Sequence, residues 1–201
     1  MRLILVRHGE TEWNREFRLQ GTSDVHLSAV GRRQAQQLAA WLPDKPDRIF
    51  ASPLLRAREF AAPLAERYRL PVEISRELRE MSFGRWEGLR YADMEPADRE
   101  LFEKWCLDPV NTPPPGGEPA AALAERVSRF LERMPVELAA EEVAVAITHG
   151  GIIRTAVTLA MQMPPAATGR MQIHTASVTI LDYYASAWHL VKLNDTCHLT
   201  K

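Results

Sequence analysis

A chain of 201 residues with a hydrophobic fraction of 46% is long and apolar enough to build a well-packed core, which argues against disorder. Its formal net charge of −1 supplies no global basic field, so nucleic acid and anionic membrane surfaces are poor default partners and any anion binding must be local. The two cysteines, Cys106 and Cys197, stand far apart without metal-ligand spacing, which argues against a disulfide framework or a zinc knuckle.

The chain enters a strand at once, without a signal-peptide pattern, and holds no apolar run of membrane-spanning length; a cytoplasmic protein is expected. Leu3-Ile4-Leu5-Val6 reads as a strand buried on both faces. Arg7, His8 and Gly9 stand directly at its carboxyl end, the edge where open α/β sheets bind ligands, with Gly9 as the gap for an approaching anion. A polar loop over residues 10–27 carries Asn14, Arg15, Arg18, Gln20 and Gly21, and its length points to function. Ser28 is placed to cap a helix in which Ala35, Leu38, Ala39 and Leu42 recur at helical spacing, with Pro43 as its stop. Residues 47–51 predict a second strand. Ser52-Pro53 reads as an N-cap followed by proline at the first helical position, for a helix to about Tyr68 with Leu55, Ala62 and Ala65 inside. Residues 71–74 are a third strand candidate, and residues 77–88, with neither period, predict an irregular crossing.

Composition shifts over residues 89–119. Phe102, Trp105 and Cys106 share helical spacing, and the stretch ends in Pro113-Pro114-Pro115-Gly116-Gly117. Pattern alone supports a cap over the site and a helical spacer with a small satellite core equally; a cap inserted in a single domain 1–201 is the expectation. A helix over residues 118–134 carries the stripe Leu123, Val127, Phe130, Leu131 and Met134. Residues 143–148 form a second buried strand that again ends in histidine and glycine, His149-Gly150-Gly151. A helix with Ile152, Ala156, Leu159, Ala160 and Met163 on one face follows, then a hairpin over residues 177–183 and 188–193. Strands alternating with helices and closed by a hairpin predict an α/β sandwich on a mixed sheet.

Two strand-His-Gly units, each with an arginine nearby (Arg7, Arg154), predict two imidazoles facing each other across adjacent strand ends; a lone histidine would more often be structural. At Gly150-Gly151 the following helix also aims its N-terminal amides at the same place. Arg56 lies in the first turn of its helix, where positive charge opposes the macrodipole. An anionic ligand would reverse that cost; a solvated arginine or a pair with Glu59 is the alternative. The chain lacks G-x-x-x-x-G-K-[ST], G-x-G-x-x-G after a strand, H-E-x-x-H and G-x-S-x-G, so no metal or cofactor is expected and chemistry on an anionic group is favoured. His26, His174, His189 and His198 are scattered and expected to be structural or exposed.

LVRHGETEWN at residues 5–14, SPLLRA at 52–57, LREMSFGRWEG at 78–88 and THGGIIR at 148–154, in that order, resemble the histidine phosphatase superfamily, also called phosphoglycerate mutase-like. The resemblance implies a three-layer α/β/α sandwich with a mostly parallel mixed sheet. It implies His8 as a nucleophile that forms a phosphohistidine and must be neutral when it attacks. Arg7, Arg56 and His149 match the family's phosphate pocket, and Asn14, Gln20, Gly21 and Gly150 are matched to substrate binding. Glu80 matches the general acid, a role that needs a raised pKa among Met81, Phe83 and Trp86, with Glu87 its second-ranked rival. Phe60 stands where the family often has threonine, a change expected to affect packing. FEKWCLDP at 102–109, PPPGGEP at 113–119, RVSRFLERM at 126–134 and WHLVKLNDTCHL at 188–199 look like the α-ribazole phosphatases of cobalamin synthesis. The implied activity is a metal-independent phosphomonoesterase acting on α-ribazole 5′-phosphate, with a phosphorylated small molecule as partner and a homodimer left open. A broad-specificity or sugar-phosphate phosphatase ranks second and phosphoglycerate mutase third. A non-catalytic phosphate-binding protein is the alternative from another class, against which the joint presence of His8 and Glu80 argues.

Overall fold

The computed structural model describes residues 1–42 and 44–199, so the expected stop at Pro43 lies outside the described residues. Among these, six strands, β1 (Arg2–Arg7), β2 (Arg48–Ala51), β3 (Val72–Ile74), β4 (Val143–Thr148), β5 (Val178–Tyr184) and β6 (Ala187–Asp195), form one sheet in the order β3-β2-β4-β1-β5-β6. The first four pair in parallel, while β5 runs antiparallel to β1 and to β6. The helices are α1 (Glu12–Arg15), α2 (Ala29–Trp41), α3 (Leu55–Tyr68), α4 (Pro96–Leu107), α5 (Ala120–Glu137) and α6 (Gly150–Ala160). None of the described helices is long and apolar enough to cross a membrane.

The continuous apolar run of β1 is explained by a helical layer on each face of the sheet. Leu3 and Leu5 pack with Val127, Phe130 and Ile153 from α5 and α6, while Ile4 and Val6 pack with Leu38, Phe60 and Leu64 from α2 and α3. These four strand residues are at most 1% exposed, and each contributes roughly 1.5–3 kcal/mol through burial. The three-layer sandwich is therefore the one expected, with β1 rigidly mounted at its centre.

Ser28 caps α2 as predicted, accepting from the Gly31 amide at 3.1 Å. The helix after β2 departs from expectation. α3 begins at Leu55, with Leu54 as N-cap and no side-chain cap, so Pro53 stands outside it. Its buried face carries Ala57, Phe60, Ala61 and Leu64 instead of Leu55, Ala62 and Ala65. That i, i+3, i+4, i+7 set brings the larger Phe60 and Leu64 onto the sheet, and Ala62 is left exposed. α6 is also corrected: it ends at Ala160, and Met163 lies beyond it, exposed. Because α6 packs against α5, the sheet and a 3-10 turn at Pro165–Arg170, Ile152, Ile153, Thr155, Ala156, Val157 and Thr158 are all buried, a wider surface than one stripe.

The irregular crossing at residues 77–88 resolves into 3-10 turns at Arg76–Leu78 and Gly84–Trp86. α4 is fastened to it by aromatic packing, Phe102 against Trp86 and Trp105 against Phe83, both at 5.5 Å between ring centroids. The Pro-Gly loop is tied to the same crossing: Arg85 donates its amide to the Pro115 carbonyl at 3.2 Å, and Glu118 donates to the Ser82 carbonyl at 2.9 Å.

Candidate active site

The parallel register pairs Arg7 with Thr148, so the next residues, His8 and His149, leave adjacent strands at the same level. Their ring centroids lie 5.1 Å apart, with planes inclined at 61°. Both rings are buried. His8 Nδ1 lies 2.7 Å from the Gly9 carbonyl, and Arg56 Nε lies 3.2 Å from His8 Nε2. A carbonyl can only accept and a guanidinium can only donate, so Nδ1 carries the proton and Nε2 keeps its lone pair. Burial first, then the charges of Arg56 and Arg7, hold His8 well below the usual imidazole range, and His149 is lowered by burial, Arg56 and His8. The pair is therefore neutral across the physiological range.

Arg56 is fully buried at the start of α3. It donates from Nη1 to the Ser23 carbonyl and from Nη2 to the Gly21 carbonyl, each at 2.8 Å. Burial pushes its pKa down to about 10, against the opposing pull of Glu80 and Asp24. The alternative pairing with Glu59 is not formed, since that carboxylate meets His26 and the Leu27 amide instead. Arg7 donates from Nη1 to the Ile173 carbonyl at 2.6 Å, and its buried Nε has no partner among the described residues. Two guanidiniums beside two imidazoles, with only neutral acceptors on Arg56, form a spot where an anion would be stabilised.

The polar loop is held by Glu87, the second-ranked acid. Its carboxylate accepts from the Thr22 amide at 2.9 Å, the Ser23 amide at 2.9 Å, the Ser23 hydroxyl at 2.6 Å and the Phe83 amide at 3.1 Å. Burial alone would raise this carboxyl, but the bonds from Ser23, Thr22 and Phe83 outweigh it and hold it below its ordinary value of 4.5. A carboxylate so satisfied anchors the loop whose Gly21 and Ser23 carbonyls hold Arg56, and is unsuited to deliver a proton. Its stabilising contribution is complete above pH 4.5 and is lost as pH falls through the depressed folded value. Glu87→Gln is expected to cost about 3 kcal/mol near neutrality and to flatten the acid limb of the unfolding midpoint, measured by thermal melts from pH 3 to 7. An unchanged acid limb would show that Glu87 does not anchor the loop.

In the same loop, Asn14 Oδ1 is committed to the Thr11 amide at 3.1 Å in a capping box at α1, which leaves its Nδ2 as the donor available to an anion. Gln20 is buried, with Oε1 unpartnered among the described residues. Gly21 adopts φ +52°, and a side chain there would collide with Glu87.

Glu80 is half-buried beside the start of α6, accepting from the Met81 amide at 2.9 Å and the Gly151 amide at 3.2 Å. A Cβ on Gly151 would strike this carboxylate, whereas one on Gly150 would meet nothing nearer than Arg7 Nε at 3.7 Å. Gly9 is corrected. A Cβ there would lie 2.7 Å from the Gly31 carbonyl and 2.8 Å from Phe60 Cε2, so its small size serves the packing of the turn after β1 against α2 and α3 rather than ligand approach. Beyond Glu80 opens a mainly apolar cavity of about 340 Å3, lined by Met81, Phe83, Trp105, Leu123 and Arg154 among others. Arg154 makes no ion pair among the described residues.

Sequence reasoning missed Ser52. Instead of capping α3, its fully buried hydroxyl lies 2.8 Å from His149 Nε2. The signal was its position directly after β2, whose last residue Ala51 pairs with Ile147, so that Ser52 stands one residue before the level of His149.

Buried cations gathered around two imidazoles at the carboxyl edge of an α/β/α sandwich define an anion-binding α/β protein. The chain belongs to the histidine phosphatase superfamily (branch 1), whose family model matches residues 3–196. An adenosylcobalamin/alpha-ribazole phosphatase of Salmonella typhimurium is 33% identical, over 90% of each chain. A bifunctional protein of Mycobacterium tuberculosis is 34% identical over 98% of this chain, which spans 55% of that protein's length. Among solved structures, a putative alpha-ribazole-5'-P phosphatase from Escherichia coli superposes with a TM-score of 0.88 at 31% identity, covering 97% of this chain and 96% of that one. A phosphoserine phosphatase from Entamoeba histolytica, bound to phosphoserine, also reaches 0.88, at 27% identity over 99% of each chain.

Proposed function

We propose that this chain is a phosphomonoesterase acting through a phosphohistidine at His8. The observation that carries the reading is the orientation of that imidazole: Nδ1–H is spent on the Gly9 carbonyl, and the Nε2 lone pair is presented beside Arg56. Nε2 attacks phosphorus and the bond to the leaving oxygen breaks, with Arg7, Arg56 and His149 stabilising the charge on the equatorial oxygens. Gly150, Asn14, Gln20 and Gly21 complete the phosphate's surroundings. Glu80 gives its proton to the leaving oxygen, then takes one from the water that attacks the phosphohistidine, releasing phosphate and neutral His8. Glu80→Gln is expected to slow phosphohistidine formation from alkyl phosphates by roughly a hundredfold or more, read by rapid quench in a single turnover, while sparing its formation from an activated nitrophenyl ester, whose leaving group needs no proton. Equal slowing of that step for both esters would move the acid elsewhere.

The proposed substrate is α-ribazole 5′-phosphate. A bulky, largely apolar leaving group suits the cavity of about 340 Å3 that adjoins Glu80, with residues 89–119 acting as a cap inserted in one domain. The Salmonella relative's activity and the resemblance over residues 102–134 support the same choice. One observation favours a different leaving group: Arg154, on the cavity wall without an ion pair among the described residues, suits one that carries an acid, as in phosphoglycerates. A panel of α-ribazole 5′-phosphate, 3-phosphoglycerate and phosphoserine decides between them. A kcat/KM at least about tenfold higher for the first is expected, and a flat panel would give the position to broad specificity.

A further inference from the structure

Ser52 follows the last residue of β2, and its amide donates to the Ile147 carbonyl at 2.9 Å, which delivers its side chain beside His149. Both residues are fully buried. The Ser52 hydroxyl oxygen accepts from the Leu54 amide at 3.3 Å and lies 2.8 Å from His149 Nε2. A hydroxyl has one proton to give, and His149 Nε2 is its one acceptor among the described residues. Were Nε2 protonated instead, the serine proton would be buried without an acceptor, the expensive arrangement for a polar group.

We infer that Ser52 donates to His149 Nε2 and so locks this neutral imidazole as its Nδ1–H tautomer, making Nδ1–H the donor offered to the transferring phosphoryl group. His149 Nδ1 is buried and has no partner among the described residues. The two histidines then share one tautomer and present opposite faces. In His8 the Nδ1 proton is consumed by Gly9, which leaves a lone pair for attack; in His149 the Nε2 lone pair is consumed by Ser52, which leaves a proton for donation. A neutral donor adds a hydrogen bond to the phosphate without adding charge to a site already crowded with guanidiniums. Ser52 is thus a positioning residue acting through His149; its catalytic consequence rests on the phosphatase reading, while the tautomer does not.

The test is long-range 1H–15N correlation spectroscopy on the whole protein labelled with 15N-histidine, with His149 assigned by its disappearance in His149→Gln. The wild type is expected to show His149 protonated at Nδ1, with orthovanadate shifting that nitrogen. Ser52→Ala is expected to mix the two neutral tautomers and lower kcat for an aryl phosphate about tenfold, with Ser52→Cys, a weaker donor, between them. An Nε2-protonated His149 in the wild type would overturn the inference whether or not Ser52→Ala folds. So would an alanine variant with both tautomer and turnover unchanged. A wild type that releases no phosphate but shows the Nδ1–H tautomer supports the Ser52 assignment and sinks only the phosphatase reading.

Discussion

His8→Ala is expected to lower phosphate release from an aryl ester by roughly 10^4-fold or more, since it removes the proposed nucleophile. The variant should still fold. His8 is a small part of a large core, and its removal leaves Arg56 Nε without an acceptor, a cost of about 1–3 kcal/mol. Rapid quenching of the wild type with labelled substrate should trap a phosphoryl group that is stable in alkali and lost in acid, the behaviour of a phosphorus–nitrogen bond, and the alanine variant should trap none. A variant that keeps wild-type turnover, or a wild-type adduct stable in acid, would remove His8 from the mechanism.

Arg56→Met should separate stability from activity. A guanidinium whose pKa burial lowers from its ordinary value to about 10 carries roughly 3 kcal/mol of unfavourable free energy while charged. The sign is definite: the folded value lies below the unfolded one, so the penalty is complete below pH 10 and is relieved only as pH rises through that value. Methionine removes the charge but leaves the Gly21 and Ser23 carbonyls without a donor, which offsets part of the gain. The ligand-free variant is therefore expected to melt at the wild-type temperature or slightly above it. Activity should fall by about 10^2- to 10^3-fold, as for loss of one preorganised donor to developing charge. Orthovanadate at a hundred times its Kd should stabilise the wild type by about 2.7 kcal/mol and the variant hardly at all, as thermal melts would show. Equal stabilisation of both would mean that Arg56 does not hold the anion.

The parts of the site legible in the sequence are those whose signal is local. Leu3 to Val6 announce a strand covered on both faces, and the two His-Gly steps mark its carboxyl edge and that of β4. Arg56 betrays itself by standing at the wrong end of a helix dipole. What was not legible depends on partners distant in the chain. Ser52-Pro53 has the local form of a helix cap, and only the β2–β4 register shows that its hydroxyl meets His149. Gly9 reads as space for a ligand until Gly31 and Phe60 are seen against it. Glu87 reads as a rival acid until the amides of Thr22, Ser23 and Phe83 are seen to occupy it. The inner face of α3 differs from the expected one because the stripe Ala57, Phe60, Ala61 and Leu64 buries larger apolar side chains on the sheet than Leu55, Ala62 and Ala65 would.

The register of β1 with β4 also constrains how the protein acquires its chemistry in time. β1 comes first of the six strands in chain order and is flanked in the sheet by β4 and β5, both from the last third of the 201 residues. Such pairings close very long loops before they return any contact energy, and chains dominated by them fold slowly. His8 comes beside His149 only through the pairing of β1 with β4. Regained turnover during refolding is therefore expected to track the completion of the central sheet.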